Sequence, residues 1–547
     1  MLASDAVGAA LAGLGTDTVF GLVGSGNFHV TNALVAGGAR FIAARHENGA
    51  ASMADGWART AGRPGVVTMH QGPGLTNAVT AITEAAKSRT PLLVLAADVP
   101  EAAVRSNFRI DVAGLAEAIG ATPARLRSAE SAASDAVRAY RLAAGQRRTV
   151  LLAMPLDVQA GQCAGPGPAG PASPAVPAAP DPAGVSALAA AVAAASAPVF
   201  VAGRGARVSG ARADLERLAD RCGALLATSA AARGLFRGSP WDLDVSGGFA
   251  SPLAAELIQG ADLVVGWGCS LNMWTMRHGR LISPGTAVAQ VDDDPAALGA
   301  HRPVDVGVPG DVAATARAVA AELAAGQQRA GYRSAQLRAR IAGQVRWRDV
   351  PFEDESGGGC VDPRALTIAL DDMLPAERTV AIDSGNFMGY PSMFLSVPDC
   401  EGFCFTQAYQ SVGLGLGSAI GAAIARPDRL TVAALGDGGA LMGVSELETA
   451  VRLGLPMLIV IYDDAAYGAE VHHFGPDGHQ LDTVRFPAAD IAAIARGFGC
   501  EGVTVRSADD LAPVRDWLAG PRAVPLVLDA KITSARGSWW LEEAFRH

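Results

Sequence analysis

The stretch from Leu435 to Glu470 reads LGDGGALMGVSELETAVRLGLPMLIVIYDDAAYGAE and decides the fold of this 547-residue chain. A short apolar run, LTVAAL, leads into it and ends at a Gly-Asp-Gly-Gly turn that contains Asp437. A second apolar run, Met457 to Ile461, follows an amphipathic segment and ends at Tyr-Asp-Asp, with Asp464 in the last place. Short apolar runs that end in glycine or acidic residues and flank an amphipathic segment are typical of parallel strands joined by a helical crossover. We therefore predict an α/β fold built on parallel sheet.

Two acidic residues, Asp437 and Asp464, follow the carboxyl ends of these two predicted strands. Ligands of parallel sheets bind beyond those ends, and glycines there allow the backbone to approach an anion closely. Two carboxylates beside a phosphate-sized gap suit magnesium, which prefers a few carboxylates together with phosphate oxygens. Glycine-rich turns and surface acids also close many ordinary strands, but the second acidic pair favours the magnesium site.

The same stretch resembles the diphosphate-binding motif of thiamine diphosphate enzymes, which begins with Gly-Asp-Gly and closes on Asn-Asn. The resemblance implies that the metal ligands are Asp437, Asp464 and the backbone carbonyl of Ala466. This chain has Asp463 and Asp464 where the family has two asparagines. A carboxylate binds magnesium at least as well as an amide, whereas Asp463 adds negative charge near a diphosphate, and the sequence offers no reason for it. The other cofactor contacts implied on this stretch are Gly436, Gly438, Gly439, Tyr467 and Gly468.

Residues 1–160 are predicted to form a first α/β domain. Apolar runs alternate with helical stretches there, which indicates a doubly wound, largely parallel sheet. The predicted strands are Val19–Val23, Phe41–Ala44, Val66–Met69, Pro91–Ala96 and Thr149–Ala153.

Glu47 is the acid of interest in this domain, because it follows a predicted strand and lies in Ala-rich sequence. On its own it could be a solvated acid at a helix N-terminus, where the helix dipole favours it. The surrounding text, RHENGAASMADGWAR and then HQGPGLTNAV, closely resembles the pyrimidine-binding domain of acetolactate synthase-like enzymes. That resemblance implies that Glu47 contacts a ring nitrogen of the aminopyrimidine and activates the cofactor. It also implies cofactor contacts from Gly72, Pro73 and Asn77, and we expect Asn77 to open a helix.

The middle of the chain is expected to hold a linker, a second α/β domain and a connector. Residues 161–184 are rich in proline and indicate a semi-rigid linker. Residues 185–325 have predicted strands at Val199–Ala202, Leu225–Thr228, Leu263–Gly266 and Ala287–Val291, and an Arg-rich connector occupies 326–359. Acetolactate synthases bind flavin in this domain, but the text SGGFAS at 246–251 does not match their flavin-contacting sequence, so we expect no FAD.

Residues 360–547 are predicted to form the diphosphate-binding domain. A strand at Val380–Ile382 ends in a loop whose counterpart in the family holds the terminal phosphate, which implies contacts from Ser384, Gly385 and Asn386. The resemblance also implies that Val412 props the cofactor into a bent shape, although ordinary core packing would explain a valine equally well.

Substrate-facing residues are expected from both outer domains. Ser25 and His70 lie at predicted strand ends near the Glu47 segment, so one reacting molecule could contact all three. The pattern is similar to benzoylformate decarboxylase, in which such a serine binds the carboxylate and such a histidine relays protons. Glu470 stands where pyruvate decarboxylase-like enzymes carry a catalytic glutamate. A structural histidine and a solvated acid are the alternatives for His70 and Glu470.

The resemblance covers nearly the whole chain and implies a decarboxylase or carboligase that depends on thiamine diphosphate and Mg²⁺. Such an enzyme acts on a 2-oxo acid through an enamine intermediate. Two alternatives remain: acetolactate synthase, which is a transferase, and a catalytically inert homologous subunit suggested by the Asp463 departure. Related enzymes share each active site between two subunits, so we expect a homodimer or homotetramer.

Composition agrees with a soluble enzyme. Half of the residues are apolar and 18% are charged, so a large core in about three domains is expected. A net charge of −10 argues against nucleic acid or an anionic membrane as the main partner. Seven scattered cysteines indicate no disulfide framework, and no long apolar span occurs, so we expect a cytoplasmic location. Lys87 and Lys531 are the chain's two lysines.

Overall fold

The structure, a computed structural model, describes residues 1–165 and 176–544. The strands described there form three six-stranded sheets, and every paired neighbour runs parallel. The predicted α/β fold with three parallel sheets is therefore confirmed. Part of the predicted linker, residues 166–175, lies outside the described residues.

The first unit has the strand order β2-β1-β3-β4-β6-β5. Its strands are β1 (Thr18–Gly21), β2 (Arg40–Ala43), β3 (Gly65–Met69), β4 (Leu92–Asp98), β5 (Thr122–Arg125) and β6 (Thr149–Pro155). Its helices are α1 (Ala3–Gly13), α2 (Phe28–Ala36), α3 (Glu47–Ala61), α4 (Pro73–Asn77), α5 (Val79–Lys87), α6 (Val112–Ala118), α7 (Ala132–Gln146) and α8 (Leu156–Ala160). Asn77 ends α4 and does not open a helix, because Pro73 already starts a short turn of helix there.

The middle unit has the order β12-β11-β10-β7-β8-β9, which is the nucleotide-fold order 3-2-1-4-5-6 read from the other edge. Its strands are β7 (Pro198–Ala202), β8 (Leu225–Thr228), β9 (Asp242–Val245), β10 (Leu263–Trp267), β11 (Ala287–Asp292) and β12 (Val306–Pro309). Its helices are α9 (Pro182–Ala194), α10 (Arg204–Val208), α11 (Arg212–Cys222), α12 (Pro252–Gln259) and α13 (Val312–Glu322), and the connector contains α14 (Ala335–Gln344).

The last unit has the order β14-β13-β15-β16-β18-β17, which repeats the order of the first unit strand for strand. Its strands are β13 (Arg378–Ile382), β14 (Phe403–Phe405), β15 (Leu430–Gly436), β16 (Met457–Asp463), β17 (Glu501–Val505) and β18 (Leu526–Lys531). Its helices are α15 (Pro363–Met373), α16 (Gly389–Phe394), α17 (Gly415–Ala425), α18 (Asp437–Met442), α19 (Glu446–Arg452), α20 (Gly468–Phe474), α21 (Ile491–Gly497), α22 (Ala512–Ala519) and α23 (Trp539–Ala544).

Helices cover both faces of each sheet. In β4, Leu93 and Leu95 pack into the hydrophobic cluster on one face, whereas Val94 and Ala96 pack into the cluster on the other. A strand that is apolar on both faces is the pattern expected for a buried parallel sheet. Within the described residues no helix is both long enough and apolar enough to cross a bilayer.

The first and last units pack directly against each other through α3 and α17, and they share one hydrophobic cluster. The two helices approach so closely that glycine is required at the crossing. A Cβ on Gly421 would lie 2.0 Å from the carbonyl oxygen of Met53, and a Cβ on Gly56 would lie 2.3 Å from that of Ser418. The two units that carry the predicted cofactor residues are therefore held at a fixed contact within one chain.

Candidate active site

The two predicted metal ligands follow neighbouring strands. β15 and β16 are paired so that Gly436 lies opposite Tyr462, and Asp437 and Asp464 follow within two residues of that rung. Burial raises the pKa of each carboxyl to about 7, and the charge of Asp464 adds to the effect at Asp437. Two partly buried carboxylates that repel each other form a site that a divalent cation would stabilise.

The loop after Asp464 has a conformation that directs its backbone groups. Ala465 lies in the left-handed region with φ at 52°, and its N–H donates to a side-chain oxygen of Asp463 at 2.9 Å. The carbonyl of Ala465 accepts from Phe486 N–H at 2.8 Å, so both sides of the strained residue are held. A Cβ on Gly468 would lie 2.3 Å from Asp464 Oδ2, so a larger residue there would displace this carboxylate. The next helix, α20, begins at Gly468, two residues after Ala466.

The unexpected Asp463 has a cationic partner. Lys531, at the end of β18, donates to the Asp463 carboxylate, and its Nζ lies 2.9 Å from Asp529. Lys531 also donates to the carbonyl of Ala489 at 2.7 Å. All three charged side chains are buried, and Lys531 offsets part of the negative charge of the two aspartates. The charge of Asp463 still contributes to the raised pKa of Asp437 and of Asp464.

Asp383 connects three segments of the diphosphate side, and no role was predicted for it from the sequence. Its carboxylate is fully buried and accepts from the N–H groups of Ser384 and Gly413. A Cβ on Gly439 would lie 2.2 Å from Asp383 Oδ2, so α18 also packs on this carboxylate. Burial raises its pKa to about 6, against the opposing effect of the backbone hydrogen bonds. The feature of the sequence that could have identified Asp383 is its position directly after an apolar strand.

The predicted phosphate loop is held by the C-terminal segment. Asn386 Oδ1 accepts from Ser538 N–H at 2.9 Å, and its backbone carbonyl accepts from the Ser538 hydroxyl at 2.6 Å. The Trp540 indole donates to the same carbonyl at 2.9 Å. Ser384 and Gly385 in the same loop are half-buried. Val412 is 39% exposed and approaches Gly439, which is not the environment of an ordinary core valine.

Glu47 is the first residue of α3 and is only 8% exposed. Asn77 Nδ2 donates to Glu47 Oε2 at 3.1 Å, and Gly74 packs against the other carboxylate oxygen. Three segments named by the sequence motifs thus converge on one carboxylate: the start of α3, the Gly72–Pro73 turn and the end of α4. A freely solvated acid would show none of these contacts.

His70 and Ser25 lie on neighbouring loops of the first unit. His70 Nδ1 accepts from Gly26 N–H at 3.2 Å, so the neutral ring carries its proton on Nε2. The Phe108 ring packs edge-on against it, with the ring centroids 5.4 Å apart. Ser25 is exposed between Gly24 and Gly26, both of which pack on the His70–Gln71 segment.

Glu470 lies in the first turn of α20 and is exposed. In the same helix His472 packs against Gly537, and burial lowers its pKa. Its Nε2 is buried without a hydrogen-bond partner among the described residues. The structure therefore brings Asp437, Asp464 and Ala466 together at the end of β15 and β16. It brings Glu47 and Asn77 together in the first unit, where Gly74 contacts both Glu47 and His70. The side chain of Glu470 has no partner among the described residues.

Family models of known proteins match all three units. Residues 1–116 match the thiamine pyrophosphate enzyme N-terminal TPP binding domain, residues 185–319 match the central domain, and residues 383–530 match the C-terminal TPP binding domain. The chain belongs to the thiamine pyrophosphate enzyme family. It is therefore a thiamine diphosphate-dependent enzyme, as the two sequence motifs predicted.

Curated relatives in this family align over almost the whole chain. The "Probable 2-ketoarginine decarboxylase AruI" of Pseudomonas aeruginosa is 30% identical, covering 93% of this chain and 90% of the relative. A sulfoacetaldehyde acetyltransferase of Castellaniella defragrans is 29% identical, covering 94% and 90%. Acetolactate synthase isozyme 2 large subunit of Escherichia coli is 26% identical, covering 97% and 95%.

The residues of this family member fit thiamine diphosphate on two grounds. The first is the donor set, because two carboxylates beside glycines at a strand-end crevice match a metal-bound diphosphate. The second is a pair of buried amides: Gln71 Oε1 and both polar atoms of the Gln407 side chain lack hydrogen-bond partners among the described residues. Gln71 follows His70, and Gln407 leads towards Val412, so both amides border predicted cofactor segments.

Two further residues join the first and last units of this family member. Glu446, at the start of α19, accepts from the N–H groups of Arg45 and His46 at 3.1 and 2.9 Å, immediately before Glu47. Glu84 of α5 accepts from Tyr409 N–H at 2.6 Å, on the segment that leads to Val412. In the sequence both acids look like solvated residues of amphipathic helices, and only the packing of one unit on the other reveals their partners.

Proposed function

We propose that this enzyme decarboxylates a 2-oxo acid, with thiamine diphosphate and Mg²⁺, and releases or transfers the remaining acyl carbon unit as an aldehyde or ligation product. The single observation that supports it best is the pair of strand-end carboxylates, Asp437 and Asp464, placed beside a glycine-lined crevice. The relatives named as a decarboxylase, an acetyltransferase and an acetolactate synthase support the same class of chemistry.

The diphosphate end of the cofactor would be held by the last unit. Asp437, Asp464 and the carbonyl of Ala466 would bind the metal, with Gly436, Gly438 and Gly439 allowing close approach of backbone. The Ser384–Asn386 loop would bind the terminal phosphate, and Tyr467 and Gly468 would close the site. Val412, exposed at the crevice, would support the cofactor in a bent shape.

The ring end would be held by the first unit. When bound, thiamine diphosphate supplies a nucleophilic carbon that adds to the substrate carbonyl and accepts the electron pair left by carbon dioxide. Glu47 would hold a proton on the pyrimidine ring, and Asn77 fixes the carboxylate that does so. Gly72 and Pro73 form the turn beside it. A buried carboxylate with one amide partner is suited to share a proton with a ring nitrogen.

The substrate would contact residues in the loops of the first unit. Ser25, which is exposed between two glycines, would hydrogen-bond the substrate carboxylate. His70 presents Nε2 as a donor, because Nδ1 is engaged by Gly26. Glu470 is the second acid proposed to move a proton at this site.

Acetolactate synthase activity is the second candidate, because relatives of that name align over nearly the whole chain. The inert subunit is the weaker alternative, since Lys531 offsets part of the negative charge of Asp463, the residue that suggested it. We propose that FAD is not a cofactor, and a purified protein with flavin absorbance would overturn that part of the proposal.

The proposed assembly is a homodimer or homotetramer with shared sites. Several apolar side chains on the predicted cofactor segments and their neighbours are exposed in one chain: Val412, Met442, Tyr467, Phe28 and Phe108. Exposed apolar groups on site-forming segments are expected where a second copy completes the site.

The decisive experiment measures carbon dioxide release from a panel of 2-oxo acids by protein saturated with thiamine diphosphate and Mg²⁺. We expect turnover of at least one 2-oxo acid by the native enzyme and little or none by Glu47→Gln. Glu117→Gln, an exposed helical acid far along α6, is the matched control and should retain activity. Absence of cofactor binding by calorimetry, or full activity of Glu47→Gln, would contradict the proposal.

A further inference from the structure

A cavity of about 410 Å³ lies where the middle unit, the connector and the last unit meet. Its walls are the segment between β8 and β9, helix α14 with the residues after it, and residues 393–397 at the end of α16. We call it the interdomain cavity. None of the residues assigned to cofactor or substrate lines it, so it is separate from the candidate active site.

Five arginines line the interdomain cavity: Arg233, Arg237, Arg338, Arg346 and Arg348. Arg348 is already paired with Asp371 and Asp372, at 3.3 and 2.8 Å. By contrast, Arg237, Arg338 and Arg346 form no ion pair with any of the residues that the structure describes. The cavity therefore gathers three guanidinium groups that have no ion-pair partner among the described residues.

The acidic residues in the cavity wall do not balance this charge. The acids that line the cavity are Asp242 and Asp244, and Arg233 Nε lies 3.4 Å from Asp244. Burial, together with the charge of Asp244, raises the pKa of Asp242 above its ordinary value. The remaining charge in the cavity is positive, in a chain whose overall charge is −10.

Arg233 is the most deeply buried of the five. Its side chain is 4% exposed and stacks over the Phe403 ring at 5.1 Å, and Nη1 has no hydrogen-bond partner among the described residues. Beside it, burial and the charge of Arg346 lower the pKa of Arg237. Removing guanidinium groups from water without a full set of acceptors is unfavourable, and an anion supplied from outside would offset that cost.

We propose that the interdomain cavity is a binding site for a small dianion that carries a phosphate group, either inorganic phosphate or a phosphorylated metabolite. Guanidinium groups match phosphate oxygens in geometry and bind them through paired, charge-assisted hydrogen bonds. The volume is within the range of small-ligand sites and exceeds what a single phosphate fills. Arg237 and Arg346 would contact the ligand directly, and the more deeply buried Arg233 would add positive charge to the site.

The wall residues come from three parts of the chain, so occupancy has a structural consequence. Arg237 belongs to the middle unit, Arg346 follows α14 of the connector, and residues 393–397 belong to the last unit. A bound dianion would hold these parts together and stabilise the folded protein according to its affinity and concentration. The site is independent of which 2-oxo acid the enzyme uses.

The test uses the full chain saturated with thiamine diphosphate and Mg²⁺, so that the cofactor's own phosphate sites are filled. Inorganic phosphate is titrated by calorimetry and by thermal unfolding, against chloride at equal ionic strength. We expect saturable binding near one phosphate per chain and a rise in unfolding temperature. The variant Arg237→Gln/Arg346→Gln should bind at least about tenfold more weakly, because it loses two charge-assisted contacts. The single variant Arg346→Gln changes an exposed residue and should lose less phosphate affinity than the double variant. It allows the measurement to be made even if the double variant folds poorly.

Arg515→Gln is the matched control, because Arg515 is an exposed arginine on α22 without an ion pair among the described residues. It should bind phosphate like the native protein. Competition with glucose 6-phosphate separates the two ligand sources: tighter binding of the sugar phosphate identifies a phosphorylated metabolite, and weaker binding identifies phosphate itself. No saturable phosphate binding, or equal affinity in the native protein and both cavity variants, would overturn the proposal.

Discussion

Replacing Lys531 by methionine tests whether Asp463 depends on this lysine. The side chains of Lys531, Asp463 and Asp529 are 11%, 3% and 0% exposed, so the change leaves two buried carboxylates without their cation. Removing one partner of a buried ion pair costs about 3–5 kcal/mol. For a unit of this size each kcal/mol lowers the unfolding temperature by about 2–4 °C, which gives a fall of roughly 6–20 °C.

The assay is calorimetric unfolding of protein free of cofactor and metal, at one scan rate, so that ligand binding does not add stability. Asp463→Asn alone should cost about 1–3 kcal/mol, because Lys531 keeps Asp529 as a partner. In the double variant Asp463→Asn/Lys531→Met, at least half of the loss caused by Lys531→Met should be recovered, because one unpaired charge has gone.

Lys87→Met is the control, since Lys87 is the chain's other lysine and is exposed. Its amine lies over the Tyr409 ring at 5.4 Å, a contact worth about 0.5–1 kcal/mol. Its loss should therefore lower the unfolding temperature by no more than roughly 4 °C. If Lys531→Met unfolds at the native temperature, or if Asp463→Asn gives no rescue, the ion pair does not explain the Asp463 departure.

Four other outcomes are expected. Glu446→Gln should keep cofactor affinity within about tenfold but lower kcat, because the amide still occupies the space while one acceptor for Arg45 and His46 is lost; equal kcat would refute a positioning role for this residue. Protons should compete with Mg²⁺ at Asp437 and Asp464, whose pKa values lie at about 7, so titration calorimetry should show weaker Mg²⁺ binding at about pH 6 than at about pH 8. The metal-free fold should gain stability over the same fall in pH, because it then binds protons that the unfolded chain does not bind; Asp437→Asn should reduce that gain, and an unchanged pH dependence would contradict it. Light scattering should give a dimer or tetramer, and a fully active monomer would exclude shared sites.

The core strands could be predicted from sequence because they are continuous apolar runs. All twelve strands predicted from such runs are present with ends shifted by at most about two residues. Of the six that were missed, β5, β9, β12, β14 and β17 lie at sheet edges. An edge strand has one neighbour and partial burial, so its sequence can be short or polar, as TPAR in β5 and DLDV in β9 are.

The sixth missed strand, β18, reads LVLDAK and has a different explanation. It lies between β16 and β17 and is buried along its length, yet it carries Asp529 and Lys531. Two charges in a central strand contradict an apolar pattern unless they are paired, and their partner Asp463 lies on β16, almost seventy positions earlier. Pairing across that separation leaves no local signal, which also explains why the sequence offered no reason for Asp463.

The repeated strand order explains why the predicted cofactor residues fall in both outer units. In the first unit the predicted residues follow β1, β2 and β3, and in the last unit they follow the corresponding strands β13, β14 and β15, with β16 added. In each sheet the order reverses between the first and third of these strands, and crevices for ligands form at such reversals. The helices that follow the second strands, α3 and α17, also correspond to each other, and they are the pair that packs the two units together. Two similar units joined through equivalent helices present two crevices of similar build and different chemistry, one with a single glutamate and one with paired aspartates. A cofactor with a nitrogen heterocycle at one end and a diphosphate at the other needs one crevice of each kind.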